Sequence, residues 1–455
     1  MLKKWIVAAV VISALLVAAK LLFFVERPKA AVPRPGVIDV KRKSFLASQQ
    51  RSQALVERGI ASLRNRDVNA ALTDFMESIS VFPPNTQAYM MIVKVYLSMR
   101  QEGRMYEALE RAGRSYPLFD KILDVIDDDE LSRIPLPVEP LDVHIAPFKD
   151  NKKAAVSFMF DDGEANVYTG VLPLFDKYAF KATVPVIAGQ AGTATPNRGS
   201  WAEWRDAASR GFEIANHSMN HHDLRTLTPA SYKVEIDDAK DLIEKETGQK
   251  VRSFVFPLDG YADGSLAYVL RTHAVARQPD LLRRYYDRTL TIVYGGPRFP
   301  LATANRLIDI AVARRLWVVA ESHGLDQRGA DHYKPMSVDF LDKHLAYISS
   351  RAQDIWVDTF YNVFEYLALR KDATVERKDV TPTLADVVVH CHSDGKVLPQ
   401  PLTVVLGVAE AAPRGVSARS PGGAALRSWP CAEKSVCVEV NVCETPVNVS
   451  WDGNK

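Results

Sequence analysis

The stretch Ala155-Val-Ser-Phe-Met-Phe-Asp-Asp-Gly163 lies at the centre of the predicted fold. Its apolar, β-prone residues predict a buried strand that ends abruptly in two adjacent carboxylates and a glycine. Two neighbouring acidic side chains at a strand end repel each other unless a cation or a proton resolves the repulsion. The pattern therefore indicates a metal site at the end of this strand.

Two histidines further along the chain can complete such a site. In the segment Asn216-His217-Ser218-Met219-Asn220-His221 the histidines are four residues apart, which puts both rings on one face if the segment is helical. One carboxylate and two histidines make three protein ligands, which leaves a divalent metal an open position for water, as in catalytic zinc sites. The second carboxylate is then free to act as a base.

The composition bounds the classes of protein to which the chain can belong. Its 455 residues are enough for two or three domains, and 47% hydrophobic with 25% charged residues is typical of globular protein, which excludes a largely disordered chain. The formal net charge is only +2, so the composition indicates neither a nucleic-acid partner nor a polyanion-binding surface.

The N-terminus predicts a membrane anchor. Lys3 and Lys4 precede an apolar run from Trp5 to Val25, which matches the roughly 20 residues that a membrane-spanning helix needs. No clear small-x-small cleavage site follows this run. We therefore expect an uncleaved signal anchor over residues 1–29, with the body of the protein outside the cytoplasm, in the periplasm or at the cell surface.

The cysteines support an oxidising compartment. All four lie near the C-terminus, and none has the paired C-x-x-C spacing of a zinc or thioredoxin motif. We interpret them as one or two disulfides, the alternative being four unpaired thiols. They are Cys391, Cys431, Cys437 and Cys443.

Residues 40–133 predict a helical region that resembles tetratricopeptide repeats. Gly59, Ala71, Phe75 and Pro83 stand at the offsets of a 34-residue helix-turn-helix unit, and a second unit fits less well. Stacked units of this kind form a docking surface, so a protein partner is expected here. The alternative is an irregular helical spacer.

From residue 143 to residue 371, short apolar strands alternate with amphipathic helices, which predicts a parallel sheet closed or nearly closed into a (β/α) barrel. Residues 374–455 instead contain short strands separated by proline and glycine turns, which predicts a small β-sandwich. In the barrel, strands are expected at 154–160, 182–188, 212–215, 251–256 and 316–321, and helices at 166–178, 201–209, 229–247, 302–315 and 337–351.

Three motifs in order resemble the polysaccharide deacetylases, the NodB-homology or family 4 carbohydrate esterases. They are Phe160-Asp161-Asp162-Gly163, His217-Ser218-x-x-His221 and Glu321-Ser-His323-Gly324. The resemblance implies a distorted (β/α) barrel that removes acetyl groups from N-acetylated, or sometimes O-acetylated, sugars.

The resemblance also implies a role for each residue of these motifs. Asp161 would be the general base and His323 the general acid, and a divalent metal, zinc by preference, would be bound by one carboxylate and two imidazoles. The backbone N–H of Leu258 would stabilise the oxyanion, which makes this residue substrate-binding. The implied metal ligands are Asp162, His217 and His221.

One departure from the family pattern concerns the base. Many members carry an arginine in an Arg-x-Pro-Tyr segment that tethers the catalytic aspartate, whereas this chain has Val255 at that position in Phe254-Val-Phe-Pro257-Leu-Asp-Gly260. Arg298 and Arg252 are the candidates for a substitute. Leu258 also replaces an aromatic residue that commonly lines the sugar site.

The leading hypothesis is therefore a membrane-anchored, metal-dependent deacetylase of an envelope or extracellular polysaccharide that contains N-acetylhexosamine. A second hypothesis is a catalytically inactive glycan-binding or scaffold protein of a polysaccharide assembly, which the missing arginine favours. A third, a non-haem iron oxygenase, would use the same two histidines and carboxylate but within a β-sandwich core.

Overall fold

The computed structural model describes residues 35–114, 119–193, 197–294, 299–326, 335–391, 400–409, 413–441 and 443–452. The chain divides into two compact units, Met1–Asn85 and Thr86–Lys455. This division falls inside the segment 40–133 that the sequence predicts as one helical region. The predicted anchor over residues 1–29 lies outside the described residues, and the described helices include none that is long and apolar enough to cross a membrane.

The first unit contains an antiparallel helix pair, α1 (Pro35–Arg64) and α2 (Val68–Val81). The Asp67 carboxylate caps α2 by accepting a hydrogen bond from the Ala70 amide. Gly59 of α1 lies so close to the Phe75 ring that a Cβ placed on it would be 2.5 Å from a ring carbon. The predicted helical character is confirmed, and the assignment to tetratricopeptide repeats stays a prediction.

The second unit begins with four more helices, α3 (Thr86–Ser98), α4 (Glu102–Arg114), α5 (Phe119–Leu123) and α6 (Asp128–Ser132). Two buried carboxylates of α4, Glu102 and Glu110, form ion pairs with arginines that lie beyond residue 280. Because these carboxylates would be left without partners in isolation, α4 belongs to the same compact unit as the sheet that follows.

The central sheet has parallel strands that alternate with helices, as the sequence predicts. Strand β1 (Val143–Ile145) is not part of this sheet and pairs with a C-terminal strand. The strands of the central sheet are β2 (Ala154–Phe160), β3 (Thr183–Val186), β4 (Glu213–Asn216), β5 (Ser253–Phe254), β6 (Val275–Ala276), β7 (Thr289–Val293), β8 (Trp317–Ser322) and β9 (Ile355–Val357). The strand order is β6-β5-β4-β3-β2-β8-β7, and β9 pairs with β2. This curled half-barrel fits a (β/α) domain.

The helices of this sheet largely coincide with the predicted ones. The predicted helix 201–209 is found with the same bounds, begun by a capping box between Ser200 and Glu203. The prediction missed six elements of this domain, at Asp263–Thr272, Val275–Ala276, Pro279–Tyr285, Thr289–Val293, Ile355–Val357 and Phe360–Asp372. The helices are α7 (Leu172–Lys177, preceded by a π-helical turn at Val167–Val171), α8 (Trp201–Ser209), α9 (Pro229–Tyr232) joined to α10 (Ala239–Thr247) by the π-helical segment Lys233–Asp238, α11 (Asp263–Thr272), α12 (Pro279–Tyr285), α13 (Leu301–Arg314), α14 (Val338–Ser350) and α15 (Phe360–Asp372).

The C-terminal region forms two antiparallel sheets. Their strands are β10 (Ala373–Thr381), β11 (Leu384–Cys391), β12 (Leu402–Gly407), β13 (Arg414–Arg419), β14 (Ala425–Leu426), β15 (Ser428–Ala432), β16 (Ser435–Val440) and β17 (Cys443–Asp452), in the orders β1-β12-β16-β15 and β10-β11-β17-β13-β14. A disulfide joins Cys431 of β15 to Cys437 of β16. The strands therefore agree with the predicted β-rich region, whereas their face-to-face packing as a sandwich stays a prediction.

Candidate metal centre and active site

The candidate residues lie together at the carboxyl edge of the central sheet. Asp161 and Asp162 directly follow β2, His217 directly follows β4, and His323 directly follows β8. Because parallel strands present their carboxyl ends at one edge, these side chains converge although they are up to 162 residues apart in sequence.

Three ligand atoms converge on one point. Asp162 Oδ1 lies 3.3 Å from His217 Nε2 and 3.3 Å from His221 Nε2. The other ring nitrogen of His217, Nδ1, lies 2.8 Å from the Val255 carbonyl oxygen, to which it donates a hydrogen bond, so that in the neutral ring Nε2 carries a lone pair. Within the described residues Asp162 Oδ1 is buried and accepts no well-directed hydrogen bond. A set of facing lone pairs of this kind fits a divalent cation.

The loop that carries the two histidines is not helical, so the two rings do not meet on one face of a helix. Ser218 and His221 adopt left-handed backbone conformations with φ of +66° and +62°, and the His221 amide donates to Ser218 Oγ at 2.9 Å. These turns bring the ring centroids to 4.8 Å from each other. The same four-residue spacing thus brings the rings together through strained loop backbone, a feature that clusters at functional sites.

Charge in the cluster is set for cation binding. Burial by itself would raise the pKa of Asp162, but the adjacent His217 and His221 rings hold that pKa well below its ordinary value. Burial and the neighbouring His217 lower the pKa of His221 to about 4. Near neutral pH the carboxylate is therefore ionised and the His221 ring is neutral, which are the forms that bind metal. Burial by itself would lower the pKa of His217, but the hydrogen bond to Asp162 and the charge of Asp161 raise it, so a metal at this ring competes with a proton.

The group that orients Asp161 is Arg277, which the sequence did not reveal. Its two terminal nitrogens donate to the two carboxylate oxygens of Asp161 at 2.8 and 2.7 Å, and both side chains are buried. Burial by itself would raise the pKa of Asp161, but the Arg277 guanidinium outweighs it and brings that pKa below its ordinary value. Asp161 is therefore held as an ionised carboxylate in one orientation.

Arg277 lies beside Val255, the residue that stands where many members of the family have an arginine. In the β5–β6 pairing Phe254 is opposite Ala276, so Val255 and Arg277, which directly follow these two strands, are neighbours. Arg252 contributes its backbone carbonyl to this pairing, through a hydrogen bond from Ala274. Arg298, the other suggested tether, lies outside the described residues.

A cavity of about 480 Å³ opens over these groups. Its wall includes Asp161, the three candidate metal ligands, His323 and Leu258. Leu258 is 65% exposed and has a φ of +57°, which places its apolar side chain at the mouth of the cavity. Burial lowers the pKa of His323, although the carboxylates of Asp161 and Asp162 act against this shift.

Two more side chains near the cluster were not predicted. Arg198 lies 3.5 Å from Asp162 Oδ2 and donates to Gln190 at 2.9 Å. Glu321, in the wall of the cavity, lies 3.1 Å from Arg277 and helps to hold its guanidinium. Arg198 belongs to none of the three motifs, and Glu321 begins the third of them without a role assigned from the sequence.

Comparison with known proteins places this site inside a recognisable domain. Residues 148–288 match the family model described as polysaccharide deacetylase, a range that contains Asp161, Asp162, His217, His221 and Arg277 but ends before His323.

Similar proteins cover only parts of the chain. A gellan lyase of a Bacillus species is 26% identical over 298 residues, which is 59% of this chain and 12% of that protein. YxkH of Bacillus subtilis, whose name carries a provisional polysaccharide deacetylase assignment, is 27% identical over 124 residues, or 27% of this chain and 44% of that protein. The chain therefore spans less than half the length of these curated relatives.

Among solved structures, a family 4 acetyl xylan esterase from Clostridium thermocellum in complex with a cobalt ion is 22% identical, with a TM-score of 0.33 over 46% of this chain and 90% of that one.

Proposed function

Starting from the polysaccharide deacetylase domain that this chain carries over residues 148–288, we propose that the protein is a metal-dependent hydrolase of acetylated polysaccharide. The target is the N-acetyl group of an N-acetylhexosamine in an envelope or extracellular polymer. The observation that carries this proposal is the meeting of Asp162, His217 and His221 around one point beside the Asp161–Arg277 pair. Nucleic acid is not among the expected partners.

Asp162 Oδ1 and the Nε2 atoms of His217 and His221 would hold the metal, for which zinc is the first choice. A divalent cation bound there would polarise the acetyl carbonyl and lower the pKa of water.

Asp161 and His323 divide the proton transfers between them. Water adds its oxygen to the acetyl carbon, its proton passes to the Asp161 carboxylate, and the carbon–nitrogen bond breaks to give acetate and a free amine. His323 donates to the leaving nitrogen in its protonated form, which the carboxylates of Asp161 and Asp162 favour against the effect of burial. The Leu258 side chain contacts the sugar at the mouth of the cavity and its backbone N–H stabilises the oxyanion.

The bidentate Asp161–Arg277 contact supports turnover over the inactive alternative. The second hypothesis, a glycan-binding protein without catalytic activity, rests on Val255, because a valine at this position cannot hold the catalytic base as the family's arginine does. Arg277 compensates for that loss from the neighbouring strand.

We further propose that residues 1–29 anchor the protein with its body in the periplasm or at the cell surface, and that the helical region docks a protein partner.

The test is acetate release by the purified chain from chitin oligomers, poly-N-acetylglucosamine, peptidoglycan and xylan, with metal content measured in parallel. We expect Asp161→Asn to keep the metal and lose the rate, and His217→Ala to lose both. His222→Ala is the matched control, because His222 turns away from the cluster and pairs with Glu235 at 2.9 Å. A metal-loaded wild-type protein that releases no acetate from any acetylated polymer would rule out the proposal.

A further inference from the structure

A second cavity, of about 330 Å³, lies at the opposite end of the central sheet from the candidate active site. Arg288 in its wall immediately precedes β7, and Arg315 lies two residues before β8. Since a strand rises about 3.3 Å per residue, the six-residue β8 separates the two cavities by roughly 20 Å. The wall carries six basic side chains, which are Arg283, Arg284, Arg288, Arg315, Arg370 and Lys371.

Positive charge remains in this cavity after every ion pair is counted. Glu139 lies 3.2 Å from Arg370 and 3.9 Å from Arg315, so one carboxylate serves two guanidiniums. Seven basic groups, including the adjacent Arg314, face five acidic ones, which leaves two positive charges. The five acidic groups are Glu102, Glu110, Glu139, Asp280 and Asp287.

Three cationic groups of the wall are placed to receive an anion. Among the described residues, neither Arg284 nor Lys371 has a carboxylate oxygen within 4.0 Å. The Nε atom of Arg288 is buried and has no hydrogen-bond acceptor in the part of the chain that the structure describes. A buried N–H without an acceptor is unfavourable, and a small shift of the Arg288 side chain towards the cavity would bring it to an anionic oxygen.

We propose that this cavity binds a phosphate dianion, either a phosphate monoester or inorganic phosphate. Its two negative charges equal the local positive excess, and guanidinium groups match the oxygens of phosphate with paired hydrogen bonds. A single carboxylate would neutralise only half of the excess. The phosphate can belong to a soluble compound or to an anionic lipid headgroup, and this proposal is independent of the proposed deacetylase activity.

The test measures binding of inorganic phosphate to the full chain by titration calorimetry at slightly alkaline pH, where phosphate is mostly dianionic. The variant Arg284→Gln with Lys371→Gln removes the two cations that have no carboxylate partner. The control, Arg205→Gln with Lys245→Gln, removes equal charge from exposed side chains on α8 and α10. We expect phosphate affinity to fall at least about tenfold in the first variant and to change less than about twofold in the control.

A second arm measures how much more protein sediments with vesicles of phosphatidylcholine and phosphatidic acid than with vesicles of phosphatidylcholine alone, because the proposed anchor over residues 1–29 would insert into either. If phosphatidic acid increases sedimentation and the first variant loses this increase, the phosphate belongs to a lipid headgroup. If the chain binds phosphate and phosphatidic acid gives no increase, the phosphate belongs to a soluble compound. Absence of phosphate binding by the wild-type chain, or equal weakening in the control variant, overturns the proposal.

Discussion

At the residue scale, the contact between Asp161 and Arg277 shows how one functional group can be supplied from a different strand. The family's arginine would stand at position 255 on the β5 side of the pairing, and here a guanidinium reaches the same carboxylate from the residue after β6. The motif residues Asp161, Asp162, His217, His221 and His323 could be predicted because their spacing is characteristic. Arg277 could not, because β6 has only two residues and no periodicity to reveal it.

Replacing Arg277 tests whether it positions the base. We expect Arg277→Gln to lower kcat about a hundredfold with unchanged metal content, because Asp161 loses the two parallel hydrogen bonds that fix its orientation. Arg277→Lys should recover part of the rate, since it restores the charge without the paired hydrogen bonds. The measurement is acetate release at saturating substrate together with metal analysis.

Arg252→Gln is the matched control for this prediction, because Arg252 is the other candidate within the described residues. It should keep kcat within about twofold. If Arg252→Gln lost as much rate as Arg277→Gln, the effect would reflect general damage to β5 and β6 rather than positioning of the base.

At the element scale, the sequence predicts the strand before the two aspartates with the bounds that it has, and it misses six later elements of the domain. Residues 154–160 are entirely buried, so a continuous apolar run identifies them. The elements between residues 263 and 293 are short, and α12 contains only seven residues, too few for a helical pattern to stand out. In the histidine loop, left-handed turns rather than a helix bring together two rings that are four residues apart in sequence.

The α1–α2 pair gives a prediction about packing. Alanine is a better helix former than glycine by about 1 kcal/mol, yet Gly59→Ala should destabilise the pair by about 1 to 2 kcal/mol, because the added methyl overlaps the buried Phe75 ring. The same change at Gly103 of α4, where no atom lies within 4 Å of the new Cβ, should be neutral or stabilising. Hydrogen exchange of the α1 and α4 amides measures each helix separately. Equal effects at both positions would contradict the packing argument.

At the scale of the whole molecule, buried ion pairs connect α4 to the sheet across long stretches of sequence. Glu102 lies 2.8 Å from Arg314 and 2.9 Å from Arg288, and Glu110 accepts a hydrogen bond from the Thr291 amide at 2.7 Å. A helix–barrel contact of this kind leaves no local sequence signature. This is why the sequence separates residues 40–133 from the barrel, whereas the structure joins α3 to α6 with it.

These contacts predict a pH-dependent stability. Burial by itself would raise the pKa of Glu102, but the hydrogen bond from Arg314 and the charge of Arg288 bring it below its ordinary value of 4.5. The stabilisation is therefore complete above about pH 4.5 and is lost as the pH falls through the lowered pKa.

We expect Glu102→Gln to lower the free energy of unfolding by about 3 kcal/mol at neutral pH, and the difference from wild type to shrink as the solution becomes acidic. Urea unfolding across this range measures it. Glu107→Gln, an exposed carboxylate on the same helix, is the control and should show no such dependence. A constant difference at all pH values would exclude ionisation of Glu102 as the cause.

The α4 ion pairs also decide where the chain can be cut for biochemical work. An expression fragment that begins at Val143 would expose Arg288 and Arg314 without their carboxylates and leave the Thr291 amide without its acceptor. Such a truncation would be prone to aggregation and would report low activity for reasons unrelated to catalysis. A fragment that starts ahead of Thr86 keeps the whole compact unit with these contacts, so an inactive result from it would be informative.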